Sequence, residues 1–126
     1  MIKKTEWAYL AGIIDGEGCI TSYHNGYGSY YVRIRISQVD PVFLYWIQAT
    51  FGGRIWSRPR HGHEQFFTWG CESITAKQIL VGVYPYLKLK KRQAVVAYRL
   101  CRKGKRILKS TQLELHQELS RLKVVA

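Results

Sequence analysis

The sequence predicts an α+β fold, in which a four-stranded antiparallel sheet carries helices on one face in the order α-β-β-α-β-β-α plus a C-terminal helix. Three observations lead to this prediction. Short runs of alternating apolar and polar residues occur in two pairs, and helical patterns precede, separate and follow these pairs. The length of 126 residues, 47% of them hydrophobic, suits one domain with an ordinary core. We therefore expect residues 1–126 to form a single domain.

The first helix and the first strand pair are indicated by capping and alternation. Thr5 is a suitable N-cap for a helix that runs to about Asp15, where glycines interrupt it. Strands are expected at 18–24 and 29–38, joined by a glycine-rich turn at 25–28. One face of the second strand carries Val32, Ile34 and Ile36, and the other carries Tyr31, Arg33, Arg35 and Ser37.

The second helix and the second strand pair follow. Asp40 is read as an N-cap with Pro41 at the first helical position, which predicts a helix to about Thr50. Strands are expected at 54–59 and 64–70. The sequence does not decide which face of the last strand is buried, because neither of its two alternating sets is clearly polar. One set is Gln65, Phe67 and Trp69, and the other is Phe66 and Thr68.

Helical patterns complete the chain. A third helix is expected at 73–83, ending ahead of a proline, and helix resumes at 88–103. Thr111 and Glu114 form a capping box for a last short helix. The apolar stripe of that helix is Leu115, Leu119 and Leu122.

The charge indicates a polyanionic partner, with nucleic acid as the first choice. The net charge is +12 and the pI is about 9.9. No acidic residue lies between Ser73 and Leu113. Ten of the 20 basic residues fall in its second part, from residue 88 to residue 109: Lys88, Lys90, Lys91, Arg92, Arg99, Arg102, Lys103, Lys105, Arg106 and Lys109. A solvated helix face would normally mix signs, so we interpret this excess as phosphate contact.

Apolar spans, targeting signals and cysteines bear on the cellular location. It has no long apolar span and no secretory signal, so we expect no membrane partner and no secretion. The 3 cysteines are odd in number and widely spaced, which suits reduced thiols in an intracellular compartment such as the cytoplasm or an organelle matrix.

The most informative segment is 10–18, Leu-Ala-Gly-Ile-Ile-Asp-Gly-Glu-Gly. Ala8, Gly12 and Gly16 are four residues apart and share one helical face. A face of such small residues lets a second backbone approach closely. The acids Asp15 and Glu17 end this face, and two carboxylates held together in a basic protein suggest a divalent-metal site.

This segment closely resembles the motif that names the LAGLIDADG homing endonucleases. Three further blocks resemble that family in the same order: Ile36-Ser37-Gln38, the segment 51–55 and the segment 85–94. The resemblance implies the family's αββαββα fold with a saddle-shaped sheet. It also implies a site-specific double-strand DNA endonuclease that hydrolyses phosphodiester bonds with Mg²⁺, for which Mn²⁺ substitutes. Because this chain has one motif, it implies a homodimer acting on a long near-palindromic target.

The resemblance also assigns roles to individual residues. Glu17, which replaces the usual Asp, and the backbone carbonyl of Gly16 are the implied metal ligands. Lys90 matches a basic residue near the scissile phosphate, and Gln38 matches a residue that orders water. Asp15 matches a structural residue that caps the partner helix. The implied dimer interface comprises Ala8, Ala11, Gly12, Asp15 and Gly16.

The open face of the sheet is the predicted reading surface, because a β-ribbon fits the major groove. The expected DNA-binding residues are Thr21, Tyr23, Ser29, Tyr31, Arg33, Arg35, Arg54, Trp56, Arg58, Arg60, Gln65, Lys88, Lys103 and Lys105. A core position for Trp56 or Trp69 is the alternative.

Two other functions stay open at this point. One is a maturase or transcription regulator on the same fold that binds DNA or RNA without cutting. The other is a basic ribosome-associated or RNA-packaging protein, which would have no use for a small-residue helix face that ends in acids.

Overall fold

A computed structural model describes residues 1–60, 63–101 and 107–125, with the side chains of 1–57, 65–101 and 107–123. The elements follow the predicted order within these ranges. They are α1 (Lys4–Glu17), β1 (Gly18–His24), β2 (Tyr30–Gln38), α2 (Val42–Phe51), β3 (Arg54–Arg60), β4 (His63–Glu72), α3 (Ser73–Val83), a 3₁₀ turn (Tyr84–Tyr86), α4 (Lys91–Leu100) and α5 (Lys109–Val125).

The four strands form one antiparallel sheet in the order β1-β2-β4-β3, as the α+β prediction requires. The β1–β2 turn is organised by Asn25, whose Oδ1 accepts hydrogen bonds from the amides of Tyr27 (2.7 Å) and Ser29 (3.2 Å). Gly26 and Gly28 have φ angles of 84° and 86°, which side-chain-bearing residues rarely adopt. The predicted glycine-rich turn is therefore confirmed.

The helices cover one face of the sheet and form the core with it. The strands contribute fully buried Ile20, Ile34, Ile36 and Trp69. The helices contribute Leu10, Ile14, Leu44, Ile47, Leu80, Ala97 and Leu119, among others. The indole nitrogen of Trp69 donates to the carbonyl of Gly52 (2.8 Å). The alternative that placed Trp69 in the core is thus correct. The position of Trp69 also decides which face of β4 points to the core.

Two helix starts differ from the prediction. Lys3, not Thr5, precedes α1, and its amide donates to the Glu6 carboxylate (3.0 Å). The helix also continues through Gly16 to Glu17. In α2, Pro41 is the N-cap residue, while Asp40 accepts from the Val42 amide (2.9 Å). Asp40 therefore caps the helix from one residue further out than predicted.

The last two helices also begin elsewhere. α4 begins at Lys91 rather than 88, because the amides of residues 88–90 bind a carboxylate outside the helix. α5 begins at Lys109, which places Thr111 inside its first turn instead of at the N-cap. Gln112 fixes this start, since its amide group bonds the carbonyl of Ile107 (3.0 Å) and the backbone amide of Tyr30 (3.0 Å).

Helix α5 packs beside β1. Ser22 Oγ and His116 Nδ1 are 2.6 Å apart, and the His116 ring stacks on Tyr30 at 4.4 Å. Burial, then the neighbouring His24 and Lys123, lowers the pKa of His116. In the described part of the chain, no helix is long and apolar enough to cross a membrane.

The three cysteines are free thiols. Burial raises the pKa of Cys71 to about 12 and that of Cys101 to about 11. At neutral pH both are therefore unreactive thiols, because the thiolate is the nucleophile.

Candidate functional site

Helix α1 passes into β1 without a connecting residue, and this junction presents Glu17. Glu17 ends the helix and Gly18 begins the strand. A Cβ on Gly18 would lie 2.7 Å from the Cα of Ile14, so the junction requires glycine. The exposed Glu17 carboxylate accepts a hydrogen bond from the side-chain amide of Gln38, the last residue of β2. The two predicted site residues are therefore neighbours.

Lys90 lies at the same end of α1, and Asp15 holds it there. The Asp15 carboxylate accepts from the amides of Lys88 (2.6 Å), Leu89 (3.1 Å) and Lys90 (3.0 Å). The ammonium group of Lys90 donates to the backbone carbonyl of Asp15 (2.7 Å). Sequence reasoning gave Asp15 a capping role on a partner helix, whereas here its carboxylate caps a segment of its own chain. Its contact with a partner stays a prediction.

The outer face of α1 carries small, exposed residues. Gly12 and Gly16 are exposed, and a Cβ on either would meet no atom within 4 Å. Ala8 is half-buried. Ala11 is 0% exposed and packs in the core with Leu10 and Ile14. Ala11 was wrongly included in the predicted interface, because it lies on the buried stripe of the helix.

Within residues 1–60, 63–101 and 107–125, no helix covers the second face of the sheet, and this face forms a basic groove. The groove has a volume of about 730 Å³. It is lined by Arg33, Arg35, Ser37, Arg54, Ile55, Trp56, Phe66, Thr68 and Glu72. The strand register places Arg33, Arg35 and Arg54 on this face, as the alternation of β2 predicted.

Arg33 is the most constrained cation of the groove. Its Nε and Nη2 atoms contact Glu72 Oε1 at 2.8 and 2.6 Å. Its guanidinium lies 4.9 Å from the ring centre of Tyr23 and 5.8 Å from that of Tyr31. Burial acts to lower the pKa of Arg33, and the hydrogen bond and charge of Glu72 outweigh it, so that the pKa is raised. In contrast, Arg35 Nε is buried with no hydrogen-bond partner among the described residues.

Sequence reasoning missed Glu72, because the fourth strand was predicted to end at residue 70. The strand continues to Glu72. Alternation from Thr68 through Gly70 would have placed residue 72 on the open face had the strand been extended. Trp56 also lies on this face, across Gly70, whose hypothetical Cβ would meet its ring at 2.8 Å.

Several predicted DNA-binding residues lie apart from the groove. Thr21 is only 7% exposed, with Lys123 Nζ 3.3 Å from its hydroxyl. Gln65 is exposed but does not line the groove: it shares the alternating face of buried Trp69, and its side-chain amide donates to Ser57 (2.8 Å), so its contact with DNA stays a prediction. Phe66 and Thr68 occupy the groove instead.

The remaining predicted residues fall at the margins or beyond the described side chains. Ser29 lies in the turn before β2, next to the strand pair of Tyr23 and Tyr31. Lys88 is exposed near Asp15. Arg58 and Arg60 belong to β3 by their backbones, but their side chains are outside the described set, as are Lys103 and Lys105 altogether.

The fold and the acid-ended helix together define a class. A four-stranded antiparallel sheet with one open, basic face, entered directly from a helix that bears the motif, is the LAGLIDADG homing-endonuclease fold.

Solved structures of that class resemble this chain over nearly its whole length. The homing endonuclease I-CvuI, in complex with its target, has a TM-score of 0.65 and 21% identity, over 93% of this chain and 96% of its own. The archaeal intron-encoded I-Vdi141I, complexed with DNA, has a TM-score of 0.59 and 16% identity, over 95% and 98%. I-SmaMI, bound to cleaved DNA, has a TM-score of 0.60 and 21% identity, but this chain spans only 42% of it. No protein-family model and no curated protein sequence matches.

Proposed function

We propose that the protein is a site-specific double-strand DNA endonuclease that acts as a homodimer with Mg²⁺ on a near-palindromic target. In this proposal residues 1–126 form one domain that supplies half of the enzyme. The observation that carries it is the position of Glu17, exposed at the end of α1 and bonded to Gln38. Lys90 is anchored at the same helix end.

The donor atoms at this helix end suit Mg²⁺, but one chain supplies only half a site. Among the described residues, no three acidic, histidine or cysteine side chains cluster to hold a metal. The Glu17 carboxylate and the Gly16 carbonyl are hard oxygen donors, and Mg²⁺ is held by one or two carboxylates while keeping several waters. Pairing of two chains through the exposed Gly12 and Gly16 face would bring a second Glu17 beside the first. Mn²⁺ is expected to substitute.

When bound, the metal activates water and stabilises charge on the phosphate and the leaving oxygen. The chain's own residues orient the reactants. Gln38 donates to one oxygen of Glu17, which fixes the carboxylate and leaves its other oxygen available. Asp15 holds Lys90 through both the backbone amide and the ammonium group of the lysine. The positive charge of Lys90 stabilises the negative charge that grows on the phosphate in the transition state.

The groove supplies DNA binding in this proposal. Arg33, Arg35 and Arg54 line the open face of the sheet. A β-ribbon fits the major groove, where each base pair has a distinct pattern of donors and acceptors. The net charge of +12 supports binding to the phosphate backbone. I-CvuI and I-Vdi141I, which share this fold, were solved with DNA. A DNA substrate and three free thiols support an intracellular, reducing location.

The decisive experiment is a plasmid cleavage assay. The plasmid carries the two sequences that flank the gene, joined directly to each other as in an allele that lacks the gene. We expect cutting with Mg²⁺ and none with EDTA. Glu17→Gln should abolish cutting and leave DNA binding intact, because it removes only the ligand charge. Glu114→Gln, an exposed acid on α5, is the control with the same charge change. Binding without cutting by the wild-type protein would favour the maturase or regulator alternative.

The role of Lys90 is tested against its neighbours. In single-turnover cleavage at saturating enzyme, Lys90→Ala should cut more slowly than Lys88→Ala and Lys91→Ala, whose effects should fall on binding. Equal rates for all three variants would make Lys90 one phosphate anchor among several.

A further inference from the structure

One acid lies on the basic face of the sheet. Of the open-face side chains that the structure describes, Glu72 is the only carboxylate. A negative charge on a surface that meets a polyanion opposes binding to every DNA sequence alike. Its position among the arginines of the groove therefore requires a more specific explanation than solubility.

The contacts of Glu72 connect it to arginines on both neighbouring strands. It pairs directly with Arg33 across the β2–β4 ladder. Its Oε1 lies 2.6 Å from Arg33 Nη2 and 3.6 Å from Arg54 Nη2. Arg33 is 25% exposed and Arg54 is 79% exposed, so the tight partner is Arg33.

Helix capping does not account for this carboxylate. Glu72 is the residue before α3 and has the extended backbone of an N-cap. Its side chain nevertheless makes no hydrogen bond to the first turn of that helix. The carboxylate points instead to Arg33, in the groove.

We propose that Arg33 and Glu72 act as a pair that reads one G·C base pair in the major groove. This inference rests on the proposed DNA-binding function. Arg33 and Arg54 both contact Oε1 of Glu72. Oε2 of Glu72 is therefore left as an acceptor, beside the N–H groups of Arg33 that do not bond Glu72. A G·C pair presents the complementary pattern: guanine N7 and O6 accept, and cytosine N4 donates. Glu72 accepts from the cytosine amino group, and Arg33 donates to guanine.

The same pair rejects other bases by repulsion. Thymine would place its O4 acceptor where cytosine places the amino donor, with its C5 methyl group beside it. A carboxylate facing an acceptor is unfavourable, so Glu72 adds specificity while lowering general affinity. The rings of Tyr23 and Tyr31 hold Arg33 in place and thereby orient the pair.

The test is selection of bound sequences from a pool of randomised duplexes, with Ca²⁺ in place of Mg²⁺. The wild-type protein should select a G·C pair at two symmetry-related positions. Glu72→Gln keeps the shape but adds an amide donor, so it should lose roughly tenfold discrimination per half-site at those positions alone. Glu114→Gln should select the wild-type sequence. If the wild-type protein selects no sequence, the proposed function fails; if Glu72→Gln selects the same bases, only the paired readout fails.

A second arm changes the DNA and compares the wild-type protein with Glu72→Gln. In the selected duplex, the cytosine is replaced by an analogue that lacks the 4-amino group. Wild-type protein should bind this duplex roughly tenfold more weakly, and Glu72→Gln should be nearly indifferent to the change. Equal losses for both proteins would show that Glu72 does not contact that amino group.

Discussion

Replacement of Asp15 by alanine should destabilise the protein more than loss of an ordinary helix cap. The side chain accepts three backbone hydrogen bonds from residues 88–90 at 2.6 to 3.1 Å. Because the donors are amides in sequence, one carboxylate holds the whole segment that precedes α4. Its removal releases that segment and, with it, the anchored Lys90.

The magnitude follows from the bonds lost. A hydrogen bond to a charged group contributes about 1.5–3 kcal/mol net. Asp15 is half-buried, and water can reach the freed amides, so we expect about 2–4 kcal/mol for the three bonds together. In a chain of this length, such a loss lowers Tm by roughly 10 °C.

Asp40→Ala is the matched control. Asp40 also caps a helix with its carboxylate, but through one exposed bond, to the Val42 amide. Its removal should cost about 1 kcal/mol. Both variants are measured by urea and thermal unfolding at one protein concentration, since dimerisation would shift the midpoint. Equal stability losses for the two variants would refute the argument.

Three further predictions concern packing and pH. Gly12→Leu should give a monomer by sedimentation with little loss of chain stability, because the position faces open space; an unchanged dimer would place the interface elsewhere. Gly82→Ala should cost roughly 1–3 kcal/mol in urea unfolding, because its Cβ would lie 2.4 Å from the Trp7 ring, and unchanged stability would contradict this contact. The pKa of His116 is lowered by burial and by its charged neighbours, so the unfolded chain binds the proton more readily. Stability should be full above about pH 6.5 and decline below it, and His116→Gln should lessen that decline; parallel pH profiles would count against the assignment.

Alternation predicted the faces of β2 because one side of that strand is fully buried. Ile34 and Ile36 are 0% exposed, and a shift of one residue would place them in solvent. The faces of β4 were ambiguous for the opposite reason, since aromatic residues occupy both. Trp69 resolves the ambiguity through its hydrogen bond to the carbonyl of Gly52. The two residues are seventeen positions apart, and a local alternation pattern does not predict such a contact.

The features that the sequence did not reveal depend on distant contacts. The start of α4 is set by Asp15, seventy-five residues before Lys90. Ala11 was assigned to an interface from the resemblance, yet it packs in the core with Leu10 and Ile14. Glu17 and Gln38 were each identified from a resemblance, and only the sheet brings their side chains together.

The strand order has a consequence for how the chain folds. β2 pairs with β1, which directly precedes it in the chain, and with β4, which is much later in the chain. Glu72 of β4, for example, lies thirty-nine positions after its partner Arg33. During synthesis the inner edge of β2 therefore stays open until the second strand pair has emerged. Docking of β4 therefore closes a long loop before its own contacts can compensate for the lost chain entropy. A chain that stops after α2 would expose an unpaired strand edge, and such edges promote aggregation.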